Sequence, residues 1–295
     1  MCKGCEAMDG FERALGLLPE GLRTEAARYR ARPVEEIRLR LGRRPSLLIG
    51  LEELELPLPE TDAKTIGRVL ERVTEASVHA AANALKEGYV SYRGIRVGVC
   101  GRALQSGGSL SGLRDFSSLN IRVPREFKGI CDNVITRTYT GGFENTLIVS
   151  GPGGGKTTAL REFIRRFSDR GLRIGVVDER NELSASDGAQ AMMDLGGHSD
   201  ILVGAPKAEG AMLLLRGMNP QLIAMDEISS PGDIDAVLRV FGCGVGLLAS
   251  AHASGRDELS VRTEYRRLLR KGVFKRLLVI KRSGAGRLYE MERLE

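Results

Sequence analysis

Residues 147–158 read Leu147-Ile148-Val149-Ser150-Gly151-Pro152-Gly153-Gly154-Gly155-Lys156-Thr157-Thr158. An apolar run, a glycine-rich turn, a Lys-Thr pair and then helical spacing make a phosphate-binding loop. Each residue type has a reason. Gly151, Gly153, Gly154 and Gly155, with Pro152 in the turn, let consecutive backbone N–H groups converge on an anion. A helix opening at Lys156 adds its positive N-terminus. Lys156 would reach the β and γ oxygens of ATP; Thr157, followed by Thr158, would bring its hydroxyl to Mg²⁺. Ser150 stands where the usual pattern begins with glycine. It is still a small residue.

A second signal is Leu222-Ile223-Ala224-Met225-Asp226-Glu227. An apolar strand ending in two carboxylates would set them at the carboxyl end of a sheet, beside the phosphate loop. Asp226 would hold Mg²⁺ through water and Glu227 would polarise an attacking water. Alone, an Asp-Glu at a strand end is commonplace; about 70 residues after a P-loop it is not. A third site, Val176-Val177-Asp178-Glu179-Arg180-Asn181-Glu182, makes Glu179 the rival for orienting water. A salt-bridged strand end is the plainer alternative there. Ser250-Ala251-His252 ends a further strand, where a polar group could sense the γ-phosphate. His79 and His198 read as structural.

These groups need strands that end together. After Gly141-Gly142, apolar strands alternate with amphipathic helices: strand 146–150, helix 156–167, strand 172–178, helix near 207–218, strand 221–226, helix 232–241, strand 244–250. That rhythm means βαβ units and a mostly parallel sheet covered on both faces. Residues 141–295 are therefore expected to be an α/β P-loop NTPase core, one that resembles the RecA-like ATPases, with Gly141-Gly142 as linker. Residues 1–140 are expected to be a smaller α+β domain. It would hold two short helices broken at Pro19-Glu20-Gly21, hairpins over 34–49 and 89–104, a helix from Thr61 to Lys86 and a strand at 118–123. Gln105–Gly112 reads as a loop or a longer hairpin end.

Composition narrows the partners. The chain has 295 residues, 42% hydrophobic and 28% charged, as in an ordinary folded protein. Tryptophan is absent and aromatics make up 5%, so a base-stacking nucleic-acid surface is not expected. No apolar run is long enough to span a membrane, and the N-terminus lacks a signal-peptide core; a cytoplasmic protein is expected. Five cysteines argue against a disulfide framework, with Cys100, Cys131 and Cys243 in strand-like contexts. Cys2 and Cys5 read as exposed terminal thiols more readily than as a zinc site. The net charge is +6, and nine basic residues against one acid lie between Arg262 and Arg282. That run reads as a solvated helix face, with an acidic partner or anionic membrane as the alternative.

The chain resembles the stage III sporulation protein AA family of endospore-forming bacteria, in the secretion-ATPase-like group of P-loop ATPases. The resemblance rests on Gly88-Tyr89-Val90, on Gly94-Ile95-Arg96-Val97-Gly98-Val99-Cys100-Gly101-Arg102-Ala103, and on Arg114-Asp115-Phe116-Ser117-Ser118-Leu119-Asn120-Ile121-Arg122. Val177-Asp178-Glu179-Arg180, Pro206-Lys207-Ala208-Glu209-Gly210 and Met225-Asp226-Glu227-Ile228 extend it. Leu213-Leu214-Leu215-Arg216-Gly217-Met218-Asn219-Pro220 is similar to the arginine-bearing helix of secretion motors. One departure is Ser229-Ser230-Pro231-Gly232-Asp233, where a glycine and a charged residue are expected after Glu227.

The resemblance implies a Mg²⁺-dependent ATP hydrolase of a transenvelope channel complex. It would self-associate, a hexameric ring being one form, and meet membrane channel proteins of the sporulation complex. It would sit peripherally on the mother-cell face of the outer forespore membrane. Arg216, or one of Arg96, Arg102 and Arg114, would complete the charge around the γ-phosphate. A RecA-type nucleic-acid translocase and a nucleotide-gated assembly scaffold remain alternative readings.

Overall fold

Period-two alternation in Val34–Arg40 and buried positions in Ser46–Ile49 give β1 and β2, which pair antiparallel in a computed structural model of the chain. The structure describes residues 10–75, 88–107, 109–139, 141–283 and 286–294. Cys2, Cys5, His79 and the expected helix beyond residue 75 lie outside them. Contacts divide the chain into two compact units. One is Met1–Arg125 with Asp187–Met192; the other is Glu126–Ser186 with Met193–Glu295.

In the first unit, β3 (Glu52–Glu55), β4 (Tyr89–Tyr92), β5 (Ile95–Ser106) and β6 (Ser109–Arg122) complete a sheet of order β3-β2-β1-β6-β5-β4. Leu104 pairs with Gly112 and Gln105 with Leu110 near the end of the long β5–β6 hairpin. Helices α1 (Gly10–Gly16), α2 (Glu20–Ala27) and α3 (Ala63–Val73) carry Leu15, Leu22, Ile66 and Val69 into its core. Asp62 caps α3 by accepting the Thr65 N–H at 2.7 Å.

The second unit is α/β. Its strands are β7 (Thr146–Ser150), β8 (Ile174–Asp178), β9 (Ser199–Val203), β10 (Leu222–Met225), β11 (Gly246–His252), β12 (Arg276–Ser283) and β13 (Gly286–Arg293). They run in the order β13-β12-β7-β11-β10-β8-β9, with β13 antiparallel to β12 and the others parallel. The pleat sends alternate residues to opposite cores: Leu147 and Val149 to one, Ile148 to the other. Helices α4 (Asp132–Thr138) and α5 (Lys156–Asp169) supply Ile135, Leu160 and Phe163 to the second of these. Helices α6 (Lys207–Gly217), α7 (Pro231–Gly242), α8 (Arg256–Val261) and α9 (Thr263–Arg270) cover the first.

Three expectations are corrected by the fold. The boundary at Gly141 falls inside the second unit, because Cys131, Ile135 and Tyr139 are already buried in its core. Tyr139 stacks on Phe143 with ring centroids 5.9 Å apart and meets Phe167 edge-on at 5.0 Å. The basic run 262–282 is not one helix face: α9 ends at Arg270, Gly272 turns the chain at φ +60°, and β12 follows. Cys131 precedes a helix and Cys243 follows one; Cys100 alone of the three lies in a strand.

Candidate functional site

Parallel register brings the strand ends together. Ser150 lies opposite His252, Ala249 opposite Met225, and Met225 opposite Val177. The segments that leave β7, β11, β10 and β8 therefore gather along one edge of the sheet, where α/β folds hold ligands.

The phosphate loop is shaped by glycine. Gly153 and Gly155 adopt φ of +65° and +99°, which side chains rarely tolerate. At Gly154 the limit is space, since a Cβ there would lie 2.3 Å from Ser150 Oγ. The Ser150 hydroxyl itself donates to the Gly151 carbonyl at 2.9 Å. Serine at position 150 is thus accommodated, and it makes glycine at 154 necessary.

Lys156, the first residue of α5, is 7% exposed. Its ammonium lies 3.0 Å from His252 Nδ1 and 3.4 Å from the Ser150 carbonyl. Among the described residues no carboxylate comes within ion-pair distance of it. Burial holds this lysine below its ordinary value; Glu227, then Asp226, act at longer range in the opposite sense. A buried cation so weakly compensated favours the arrival of an anion.

The carboxylates are positioned by hydroxyls. Thr157 Oγ1 donates to Asp226 Oδ2 at 3.0 Å, and Ser250 donates to Asp226 Oδ1. Ser250 Oγ accepts the Glu227 N–H at 2.9 Å. Glu227 leaves the strand with φ +45°, and its carboxylate lies between His252 Nε2 at 3.2 Å and Arg180 Nη1 at 3.3 Å. Glu179 is engaged elsewhere, in an ion pair with Lys207, which also faces Asp233 at 3.9 Å. Buried Asp178 fixes the intervening loop by accepting the N–H groups of Glu182, Leu183 and Ser184 at 2.8, 3.0 and 2.8 Å.

The segment that departs from the family pattern has a local reason. Ser230 caps α7 by accepting the Asp233 N–H at 3.1 Å, and Asp233 accepts the N–H groups of Ser229 and Ser230, both at 2.9 Å. With Pro231 at the first turn this is a capping box.

The expected residues therefore divide. Gly151, Pro152, Gly153, Gly154, Gly155, Lys156, Thr157, Thr158, Asp226 and Glu227 gather at one edge, with Ser250 and His252 among them. Glu179 is at the same edge but tied to Lys207. Arg216 is in the last turn of α6, at the end that leads back to the start of β10, so within the chain it is a helix length from this edge. Arg102 and Arg114 face each other across β5 and β6 in the first unit, and both reach Asp115. Arg96 lies over the Tyr89 ring at 4.4 Å. Sequence reasoning gave Lys207 and Arg180 no role; their signal is a long cation opposite each glutamate, visible once the strands are aligned. His198 Nδ1 lies 3.0 Å from the Ser168 carbonyl.

The family described as "Sporulation stage III, protein AA" matches residues 14–291. Over 277 residues, 90% of each chain, the protein is 34% identical to stage III sporulation protein AA of Bacillus subtilis (strain 168). The ATPase DotB of Legionella pneumophila shares the fold at a TM-score of 0.58 and 15% identity, covering 96% of this chain and 78% of that one. The pilus retraction motor PilT, solved with bound ADP, does so at 0.62 and 16%, covering 91% and 82%. The fold is thus RecA-like α/β with a smaller N-terminal α+β part, and the chain belongs to the sporulation stage III protein AA family.

Proposed function

We propose that the protein is a Mg²⁺-dependent ATP hydrolase that works as a ring-forming motor or gate of a transenvelope channel complex in sporulation. The observation that carries the ATPase reading is the buried Lys156 ammonium, held under a glycine loop, next to the Thr157–Asp226 pair and, among the described residues, without a carboxylate partner. The donor set fits a magnesium–polyphosphate. Loop amides and Lys156 would take the phosphates, and Thr157 and Asp226 would hold Mg²⁺. Bound there, the metal would offset charge on the β and γ oxygens. Glu227 is the base in this reading, its carboxylate oriented by Arg180 and His252; the Lys207 ion pair makes Glu179 the weaker rival.

Family membership supports the sporulation role, and relatives named as an ATPase and a pilus motor support the motor. The same reading gives self-association, with Arg216 directed toward a neighbouring copy. It also gives contact with membrane channel proteins at the mother-cell face of the outer forespore membrane. Among the described residues no helix is long and apolar enough to cross a membrane.

Titration with a fluorescent ATP analogue and Mg²⁺ tests the reading. Lys156→Ala should weaken binding about a hundredfold or more, the loss expected when a buried charge loses its partner. An unchanged affinity in the folded variant would remove the phosphate-loop assignment.

A further inference from the structure

The C-terminal hairpin reaches the phosphate loop. β12 runs parallel to β7, with Val279 opposite Val149. It then continues past the end of β7 to Ser283, so Arg282 travels on beside the loop. On the returning strand Arg287 lies directly opposite Arg282. The pleat fixes their direction. Leu278 and Ile280, paired with Met291 and Tyr289, lie against the core that α5 covers; Arg282 and Arg287 are the next residues on that face.

Contacts agree with that placement. Arg287 Nε donates to the Gly154 carbonyl at 2.8 Å. A Cβ on Gly155 would come within 2.9 Å of the same nitrogen, and one on Gly153 within 3.5 Å of Arg282 Nη2. In a trans peptide the C=O and the following N–H point opposite ways. Pinning the Gly154 carbonyl from outside therefore turns the Gly155 N–H toward the cradle.

The two faces of the hairpin differ in charge compensation. Like charges directly opposite in an antiparallel pair are destabilising. Among the described residues neither Arg282 nor Arg287 has a carboxylate at ion-pair distance. On the other face of the hairpin Lys281 is neutralised by Glu290 at 2.6 Å.

We propose that Arg282 and Arg287 are part of the phosphate site: Arg287 positions the loop from outside, and the pair forms a cationic wall beside it from which Arg282 contacts the polyphosphate of a nucleoside triphosphate. The proposal rests on the phosphate-loop reading of Lys156 and its glycines. It adds a source of positive charge from the same unit, one that sequence reasoning did not consider.

Binding of a fluorescent ATP analogue, and its displacement by inorganic tripolyphosphate, are measured for the full chain with Mg²⁺. Arg282→Glu and Arg282→Gln should each weaken both ligands about tenfold, the scale of a hydrogen bond to a charged group. Arg287→Ala should do the same, and Arg287→Lys should recover part of the loss. Arg282→Glu should also raise the melting midpoint of the unliganded protein, since an opposite-charge pair replaces a repulsive one. A merely structural arginine would not couple higher stability to weaker binding. Unchanged affinity in the Arg282 variants, with Lys156→Ala still defective, would overturn the wall and leave the phosphate loop standing. Weakened ATP with unchanged tripolyphosphate would overturn it too, by moving the contact to the nucleoside. A wild-type chain that binds neither ligand would overturn both readings.

Discussion

The two sheets handle charge in opposite ways. In the first unit, antiparallel strands expose one face, and the charges on it close on one another. Arg40 pairs with Glu53, Arg38 and Arg122 with Glu36, and Arg102 and Arg114 with Asp115. In the second unit, the parallel strands are buried, and the polar residues gather where the strands end. There, among the described residues, Lys156 lacks an acid, Asp226 is met by two hydroxyls, and two arginines face each other. A surface that satisfies itself is finished when it folds. An edge left with excess cation inside a glycine cradle is finished by a ligand.

The sharpest way to break that comparison is to remove one cation from each sheet. Lys156→Met should abolish most nucleotide affinity yet leave the unliganded protein as stable or more so, because the variant no longer carries the cost of burying an ammonium. The sign follows from the lowered lysine value. Below both values the lysine is charged in the folded and the unfolded chain, and the cost is present in full. As pH rises through the lowered folded value toward the ordinary one, the unfolded chain holds more protons and stability climbs. Lys156→Met should lack that rise. Arg40→Met, in the other sheet, should lower stability, because Glu53 loses its partner. Thermal melts of both variants from neutral to alkaline pH check the pair; a Lys156→Met protein that melts well below wild type would break the contrast.

Smaller, and confined to turnover, is the effect of the base. Glu227→Gln should bind ATP like wild type and hydrolyse it about a hundredfold more slowly. Glu179→Gln should lose less, since the Lys207 ion pair already occupies that carboxylate. Single-turnover rates at saturating ATP separate the two. The reverse order would exchange their roles and place the working charge of the edge on β8.

How much of this was legible in sequence depended on burial. β7, β8, β10 and β11 were readable because both faces are covered and their residues form short apolar runs. β9, Ser-Asp-Ile-Leu-Val, was missed: it is an edge strand, half exposed, and opens with two polar residues. The break near Gly141 looked like a linker because Gly-Gly also marks a turn, and nothing local reveals that Tyr139 stacks on Phe143. β12 was hidden at the end of the basic run 262–282, whose dense arginines suggested a solvated helix face. At the site, the loop glycines, Lys156 and Thr157 were readable because spacing along one strand-loop-helix fixes them, and Asp226 and Glu227 because they directly follow an apolar strand. The Lys207–Glu179 and Arg180–Glu227 pairs were not, since each joins separate elements.

The smallest expected effect lies on the self-satisfied sheet. Glu53 is held down to about 2 by hydrogen bonds from Arg40 and Ser46. A carboxylate lowered in the folded state adds stability above its unfolded value, and that stability is lost as pH falls from about 4.5 toward about 2. Its side chain is 37% exposed, so solvent screens the pair and the contribution should not exceed about 1 kcal/mol. Glu53→Gln should therefore unfold at slightly lower urea than wild type near neutral pH, and the gap should narrow in acid as the wild-type carboxyl takes up its proton. Added salt should narrow it as well. A gap that persists undiminished in acid would mean that Glu53 contributes through packing against Ser46, and this corner of the first sheet would no longer exemplify charges that satisfy one another.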